Sequence, residues 1–81
     1  MEEYIYEEIL ELLKGEYPEI DFESSEKLID DGIVDSITKT ELIALFTLEF
    51  GIEIPMEETV NENFNSLRNM ADMVERLKQV E

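Results

Sequence analysis

The chain has 81 residues, of which 22 are acidic and 6 are basic, so its net charge near neutral pH is −16. This charge excludes nucleic acids and anionic membranes as main partners and favours proteins with basic surfaces. The length predicts a single domain over residues 1–81 with one small core. No apolar run approaches the ~20 residues of a membrane helix, and the first residues are acidic, so we expect a cytoplasmic monomer without membrane insertion.

Cysteine and histidine are both absent. Without cysteine there is no thiolate metal ligand or cysteine nucleophile, and without histidine the usual general base near neutral pH is missing. A serine nucleophile with a lysine or carboxylate partner remains open, but so short a chain has little wall for a substrate pocket. The composition therefore predicts a protein that is not an enzyme and has no dedicated metal site.

The first predicted element is a helix with apolar residues at Ile5, Ile9, Leu12 and Leu13. Gly15 stands where a C-terminal cap belongs, and Pro18 follows shortly after it. We expect the helix to end at Gly15.

Residues 15–35 show no helical period, which predicts a loop that is long for so small a protein. Ser24 or Ser25 is expected to cap a short turn within this loop. The expected anchors of the loop in the core are Phe22, Leu28 and Ile29.

A second helix is predicted from Asp35 or Ser36 to Phe50, because Gly51 and then Pro55 end the pattern. On a helical wheel this segment has two apolar faces. The core face is formed by Leu42, Ile43, Phe46 and Phe50. The opposite face carries Ile37, Ala44 and Leu48 with Glu41 beside them, and contiguous exposed apolar residues often mark a docking surface.

Residues 51–55 alternate like a strand but have no strand partner nearby, so we expect an extended loop. Residues 56–61 are expected to form one helical turn. A last helix is predicted to begin at Asn65 or Ser66. Its apolar face is formed by Leu67, Met70, Val74 and Leu77.

Ser36 stands at the start of the second helix, where Asp35 or Ser36 itself is a suitable N-cap. Thr38 competes for the same role, since Thr38 and Glu41 fit the capping box. If Asp35 or Thr38 is the cap, the Ser36 hydroxyl is free beside a helix N-terminus, where a phosphodiester would be stabilised.

The run DDGIVDSI at residues 30–37, followed by Glu41-Leu42 and by EFGIEIP at residues 49–55, resembles the acyl carrier protein family. The family attachment motif is Asp-Ser-Leu, and here it reads Asp35-Ser36-Ile37. The resemblance covers essentially the whole chain. It implies an all-α fold, an acyl-carrier-like four-helix bundle with three main helices, one short third helix and a long first loop.

The same resemblance implies a non-catalytic carrier. A transferase would move 4'-phosphopantetheine from coenzyme A to Ser36, and acyl groups would be held as thioesters on its terminal thiol. The missing cysteine and histidine fit this role, because the prosthetic group supplies the thiol and partner enzymes supply the acid–base chemistry. By family analogy Asp35 takes part in recognition by the transferase. The residues that match the partner-binding face of the family are Ile37, Glu41, Ala44 and Leu48.

In long-chain carriers the acyl tail enters the core between the second and third helices. By resemblance the lining of this acyl pocket would be Leu28, Leu42, Ile43, Phe46, Ile54 and Phe64. Family members commonly have smaller aliphatic residues at the positions of Phe46 and Phe64, so these rings favour a short cargo. Lys39 lies over the core face, which places a cation near the pocket mouth and favours a polar or carboxylate-bearing cargo. In the alternative, the rings only enlarge the core and Lys39 is solvated.

Two departures from the fatty-acid carriers favour a specialised lipid or secondary-metabolite pathway over housekeeping fatty acid biosynthesis. Thr38, Thr47 and Leu48 stand where acids are common in the family. The run GIVDS at residues 32–36 is similar to that of D-alanyl carriers, so an aminoacyl carrier is the alternative within the family. Either type implies partner enzymes that transfer acyl or aminoacyl groups and dock through basic surfaces.

Two alternatives belong to other classes. A divalent-cation-binding module would use Asp30, Asp31 and Asp35, but their spacing does not fit the EF-hand loop. An acidic helical adaptor would use Ser36 only as a cap. Transfer of phosphopantetheine to the chain separates both from a carrier.

Overall fold

The computed structural model describes residues 2–80, with side chains from residue 5 to residue 79. This part of the chain contains three α-helices, two 3-10 turns and no β-strand, which confirms the all-α prediction. The helices are α1 (Glu2–Glu16), α2 (Ser36–Phe50) and α3 (Leu67–Val80), and the 3-10 turns are Met56–Glu58 and Asn61–Phe64. Over the described residues, none of the helices combines the length and apolar character that a bilayer crossing requires.

Helix α1 buries one side, with Ile5, Ile9 and Leu13 spaced four residues apart, and packs chiefly against α3. The expected end at Gly15 is wrong, because the helix continues through Gly15 to Glu16. Gly15 does not adopt the left-handed conformation that a C-terminal glycine cap requires. The N–H of Tyr17 still donates to the Leu13 carbonyl oxygen at 2.8 Å, and Pro18 then prevents further helix.

The long loop between α1 and α2 is anchored as expected, with Phe22 and Leu28 buried and Ile29 half-buried. Ser25 caps a turn, since its hydroxyl oxygen accepts from the Lys27 N–H at 2.9 Å. An anchor that the sequence did not indicate is Asn65. Its side-chain oxygen accepts from the N–H groups of Ile29 and Asp30, and its carbonyl oxygen accepts from the Leu28 N–H at 2.8 Å. These bonds join the end of the loop to the start of α3.

Helix α2 has the predicted bounds. Gly51 ends it in the left-handed conformation, with φ 62°, and its N–H donates to the Thr47 carbonyl oxygen at 3.1 Å. Leu42 and Phe46 are fully buried on the core face. The residues after Gly51 form no strand, as expected.

The segment after α2 differs from the single helical turn expected at residues 56–61. Two 3-10 turns form instead, separated by Thr59 and by Val60, whose backbone is extended at φ −70° and ψ 152°. A β-branched residue is stiff and favours such a conformation, which accounts for the break. Helix α3 then begins at Leu67 with Ser66 as its cap, since the Ser66 hydroxyl oxygen accepts from the Asn69 N–H at 3.0 Å.

One continuous hydrophobic cluster joins these elements. Its fully or nearly fully buried members are Ile5, Ile9, Leu13, Phe22, Leu28, Val34, Leu42, Phe46, Ile52, Phe64, Leu67, Met70, Ala71, Met73, Val74 and Leu77. All the predicted apolar positions of α3 belong to this cluster.

A hydrogen bond between distant residues joins the end of α1 to α2. The Tyr17 hydroxyl donates to the Glu41 carboxylate at 2.8 Å, and the Tyr17 ring packs edge-on against Phe22 with centroids 6.1 Å apart. Burial of the phenol, followed by this hydrogen bond and the negative charge of Glu41, raises the pKa of Tyr17 to about 12. The folded state therefore favours the neutral phenol.

The Tyr17 contact predicts a loss of stability at alkaline pH. Because the folded-state pKa is raised from 10.0 to about 12, the stabilisation is fully present below pH 10 and is lost as the pH rises through that window. Tyr17→Phe should cost ~0.5 kcal/mol at neutral pH, for one partly exposed hydrogen bond, and should lose less stability than the wild type above pH 10. Urea unfolding from neutral pH to above pH 10 measures the cost at neutral pH and the loss at alkaline pH, with Tyr6→Phe as the control. A parallel decline of Tyr17→Phe and wild type would contradict the assignment.

Candidate functional site

The start of α2 is capped by Asp35. Its backbone is extended, with φ −87° and ψ 179°, and its carboxylate accepts from the Thr38 N–H at 2.8 Å. This bond, with a further one from the Thr38 side chain, holds the pKa of Asp35 below its usual range. Thr38 is therefore not the cap, and the expected capping box with Glu41 does not form, since the Glu41 carboxylate accepts from Tyr17.

Ser36 is the first residue of α2 and is exposed. Its carbonyl oxygen accepts from the Thr40 hydroxyl at 3.0 Å, whereas its own hydroxyl forms no hydrogen bond with any described residue. Of the arrangements open on sequence grounds, the structure has the one in which Asp35 is the cap. An unbonded hydroxyl thus lies at the N-terminus of a 15-residue helix, whose remaining free N–H groups and dipole favour an anion.

The outer face of α2 is exposed as the helical wheel predicts. Ile37 is 70% exposed and Leu48 is 82% exposed. Ala44 and Glu41 are also exposed. The four side chains proposed for partner binding therefore lie on the accessible side of the helix, along a line that starts beside Ser36.

Three more exposed apolar side chains lie near α2 in sequence. Ile33 precedes the helix, Met56 (85% exposed) begins the first 3-10 turn, and Val60 (48% exposed) lies between the two turns. The sequence analysis did not single out these residues, although the spacing of Met56 and Val60 was visible. Among the described residues, every large apolar side chain with high exposure lies between residues 33 and 60. Two of these five side chains, Ile37 and Leu48, belong to the outer face of α2.

The residues expected to line an acyl pocket lie in the core on the other side of α2. Leu28, Leu42, Phe46 and Phe64 are fully buried, and Ile43 and Ile54 are half-buried and pack against the same cluster. The Phe46 and Phe64 rings stack with centroids 6.5 Å apart and an interplanar angle of 13°. The two rings therefore fill the space between α2 and the second 3-10 turn.

Lys39 lies beside these rings, as its place on the helical wheel predicts. The side chain is half-buried, its ammonium donates to the Asn61 side-chain oxygen at 2.9 Å, and it lies 5.7 Å from the centroid of the Phe64 ring. The expectation that its stem lies over the core is confirmed. The ammonium also contacts the second 3-10 turn, so solvent is not its only partner.

The three acids considered for a divalent cation bind separate groups. The Asp30 carboxylate accepts from the Asn65 amide, that of Asp31 from the Ser25 hydroxyl, and that of Asp35 from the Thr38 N–H. Within residues 2–80, no three aspartate, glutamate, histidine or cysteine residues form a group that could hold a metal ion. The described geometry thus gives no support to the cation-binding alternative.

Comparison with known families identifies the kind of site. The family model described as the phosphopantetheine attachment site matches residues 3–74. No curated protein and no solved structure gives a significant match. Members of this family are generally non-catalytic carriers that interact with phosphopantetheinyl transferases and acyl-transferring enzymes. Because the match spans most of the sequence, the chain belongs to the phosphopantetheine-attachment family, the carrier proteins with a covalently attached 4'-phosphopantetheine.

Proposed function

We propose that the chain is one carrier domain over residues 1–81, and that Ser36 bears the 4'-phosphopantetheine. The observation that carries this proposal is the cap at Asp35, which leaves the exposed Ser36 hydroxyl without a hydrogen-bond partner among the described residues. The phosphodiester formed there would lie at the α2 N-terminus, where helix N–H groups stabilise an anion by about 0.3–1 kcal/mol. When attached, the group supplies a thiol that holds acyl cargo as a thioester.

The same observation favours a carrier over an acidic adaptor. An adaptor needs Ser36 only as a helix cap, but Asp35 has that role. The two 3-10 turns at Met56–Glu58 and Asn61–Phe64 would take the place of the short third helix in the carrier-type four-helix bundle. The fold and the free hydroxyl are therefore both consistent with a carrier.

The proposal includes a role for Asp35 in recognition by the transferase. The residue is exposed and adjoins Ser36, and the hydrogen bond from the Thr38 N–H lowers its pKa and so favours the ionised form. A basic transferase surface would meet this carboxylate at the point of reaction. Long-range attraction to the chain, with its net charge of −16, would speed the encounter.

The partner-binding surface in this proposal is the outer face of α2, formed by Ile37, Glu41, Ala44 and Leu48. Its centre is apolar, and Glu41 and Glu49 are the only acids of the helix. Partner enzymes would therefore combine an apolar patch with basic residues around it. So apolar a face favours acyl-transferring enzymes of a specialised lipid or secondary-metabolite pathway over the standard fatty-acid enzymes.

Attachment at Ser36 is tested by intact mass after incubation with coenzyme A and a broad-specificity phosphopantetheinyl transferase. The wild type should gain the mass of one phosphopantetheine. Ser36→Ala should gain none and should change the free energy of unfolding by less than ~0.5 kcal/mol, because the hydroxyl forms no hydrogen bond in the described structure. Ser24→Ala, which removes another exposed serine hydroxyl, is the control and should be modified like the wild type. Modification of Ser36→Ala would refute the assignment.

The partner surface is tested by Leu48→Glu with the same transferase. The substitution adds charge to a side chain that is 82% exposed, so stability should change by less than ~0.5 kcal/mol. Loss of a contact in the interface centre should weaken the complex by about 1 kcal/mol, roughly a fivefold rise in the KM for the carrier. Gln79→Glu adds the same charge to an exposed position of α3 and is the control. Equal KM values for the two variants would show that Leu48 lies outside the interface.

A further inference from the structure

Lys39 is a cation without an anionic partner in a strongly acidic chain. With 22 acidic residues available, its ammonium nevertheless forms no ion pair with any described residue. Its contacts are neutral, namely the Asn61 side-chain oxygen at 2.9 Å and the face of the Phe64 ring. An ammonium has three N–H donors, and the hydrogen bond to Asn61 uses one of them.

The amide nitrogen of Asn61 is a second free donor at the same place. Asn61 is exposed, and only its oxygen takes part in a hydrogen bond with the described residues. Because the ammonium is held beside this amide, both groups can donate to the two oxygens of one carboxylate. The pair therefore forms a small anion site on the surface between α2 and the second 3-10 turn.

This anion site lies close to the proposed attachment point. Lys39 follows Ser36 by three residues on α2, which is ~4.5 Å along the helix axis and nearly one turn. It is also the only basic residue between Lys27 and Arg68. Every other charged side chain between residues 28 and 67 is acidic, so within this stretch of the sequence only Lys39 can attract an anion.

The core beneath Lys39 leaves the cargo at the surface. Phe46 and Phe64 are fully buried and stacked, so a tail that entered here would have to separate two close-packed rings. A short cargo avoids this displacement, and it reaches the ammonium when the flexible phosphopantetheine chain folds back along α2.

We propose that Lys39 is a specificity-determining residue that, with Asn61, binds the distal carboxylate of a short dicarboxylic acyl group carried on Ser36. This inference rests on the proposed function and names its cargo class. It gives a role to a cation that contacts only neutral groups among the described residues of a strongly acidic chain. A neutral acyl group of the same length gains nothing from the site, and a cationic aminoacyl group is repelled by it.

The test compares three short cargoes on the holo protein, each loaded through a stable amide analogue of the thioester: succinyl, butyryl and β-alanyl. Intact mass first confirms loading. The carboxyl group of a carbon-13-labelled succinyl cargo is then titrated by NMR. In the wild type its pKa should lie at least about 0.5 pH unit below that in Lys39→Met, which keeps an apolar stem but loses the charge. The Asn61 side-chain amide signals should shift with succinyl and not with butyryl or β-alanyl.

Three controls separate the possible causes. Lys27→Met removes an exposed cation of the first loop and should leave the succinyl titration unchanged, whereas Lys39→Arg should keep it. Holo protein without cargo shows the effect of the phosphopantetheine phosphodiester alone, so comparison with the loaded protein isolates the effect of the cargo carboxylate. An Asn61 shift already complete in the unloaded form would overturn the inference, as would equal succinyl titration in wild type and Lys39→Met. Failure to load at Ser36 would appear in the mass spectrum and would overturn the proposed function as well.

Discussion

The hydrogen bond from the Thr38 N–H to the Asp35 carboxylate is the contact on which the site depends. It makes Asp35 the cap and Ser36 the first helical residue, and it leaves the Ser36 hydroxyl free. The orientation of α2 is set separately, by the burial of Leu42 and Phe46 in the core, which leaves Leu48 on the outer face. The cap therefore fixes where the helix begins, and the core fixes which side of the helix is exposed.

Three parts of α2 have separate roles in the proposed function. Its N-terminus would present Ser36 to the transferase, and its outer face from Ile37 to Leu48 would bind partners. The side that packs against the second 3-10 turn places Lys39 over Phe64. Two polar contacts from outside α2 hold its surroundings in place. Tyr17, the residue after α1, donates a hydrogen bond to Glu41 of α2. The side chain of Asn65 accepts one from Ile29 in the loop that leads to Asp35.

Local signals were enough to predict the start and end of α2. Asp35 and Gly51 act within one helical turn, and the periodicity of Leu42, Phe46 and Leu48 fixes the faces. The end of α1 was predicted wrongly at Gly15, because a glycine that is compatible with a cap is also tolerated inside a helix. The contacts of Tyr17 with Glu41 and of Ile29 with Asn65 join residues 24 and 36 positions apart, so no local pattern reveals them. The contact of Lys39 with Asn61 was predicted only in part, since the helical wheel placed the lysine but not its partner.

The most direct test of the central claim is the pH titration of the Thr38 amide signal by NMR, in the apo protein and after attachment of phosphopantetheine. If Asp35 is the cap and Ser36 is free, the Thr38 signal follows the protonation of Asp35 in both forms, with a midpoint below that of an ordinary aspartate. Attachment to Ser36 then leaves this titration in place. A Thr38 signal that ignores Asp35, or one whose titration disappears on attachment, would contradict the account, because Ser36 would then contribute to the cap.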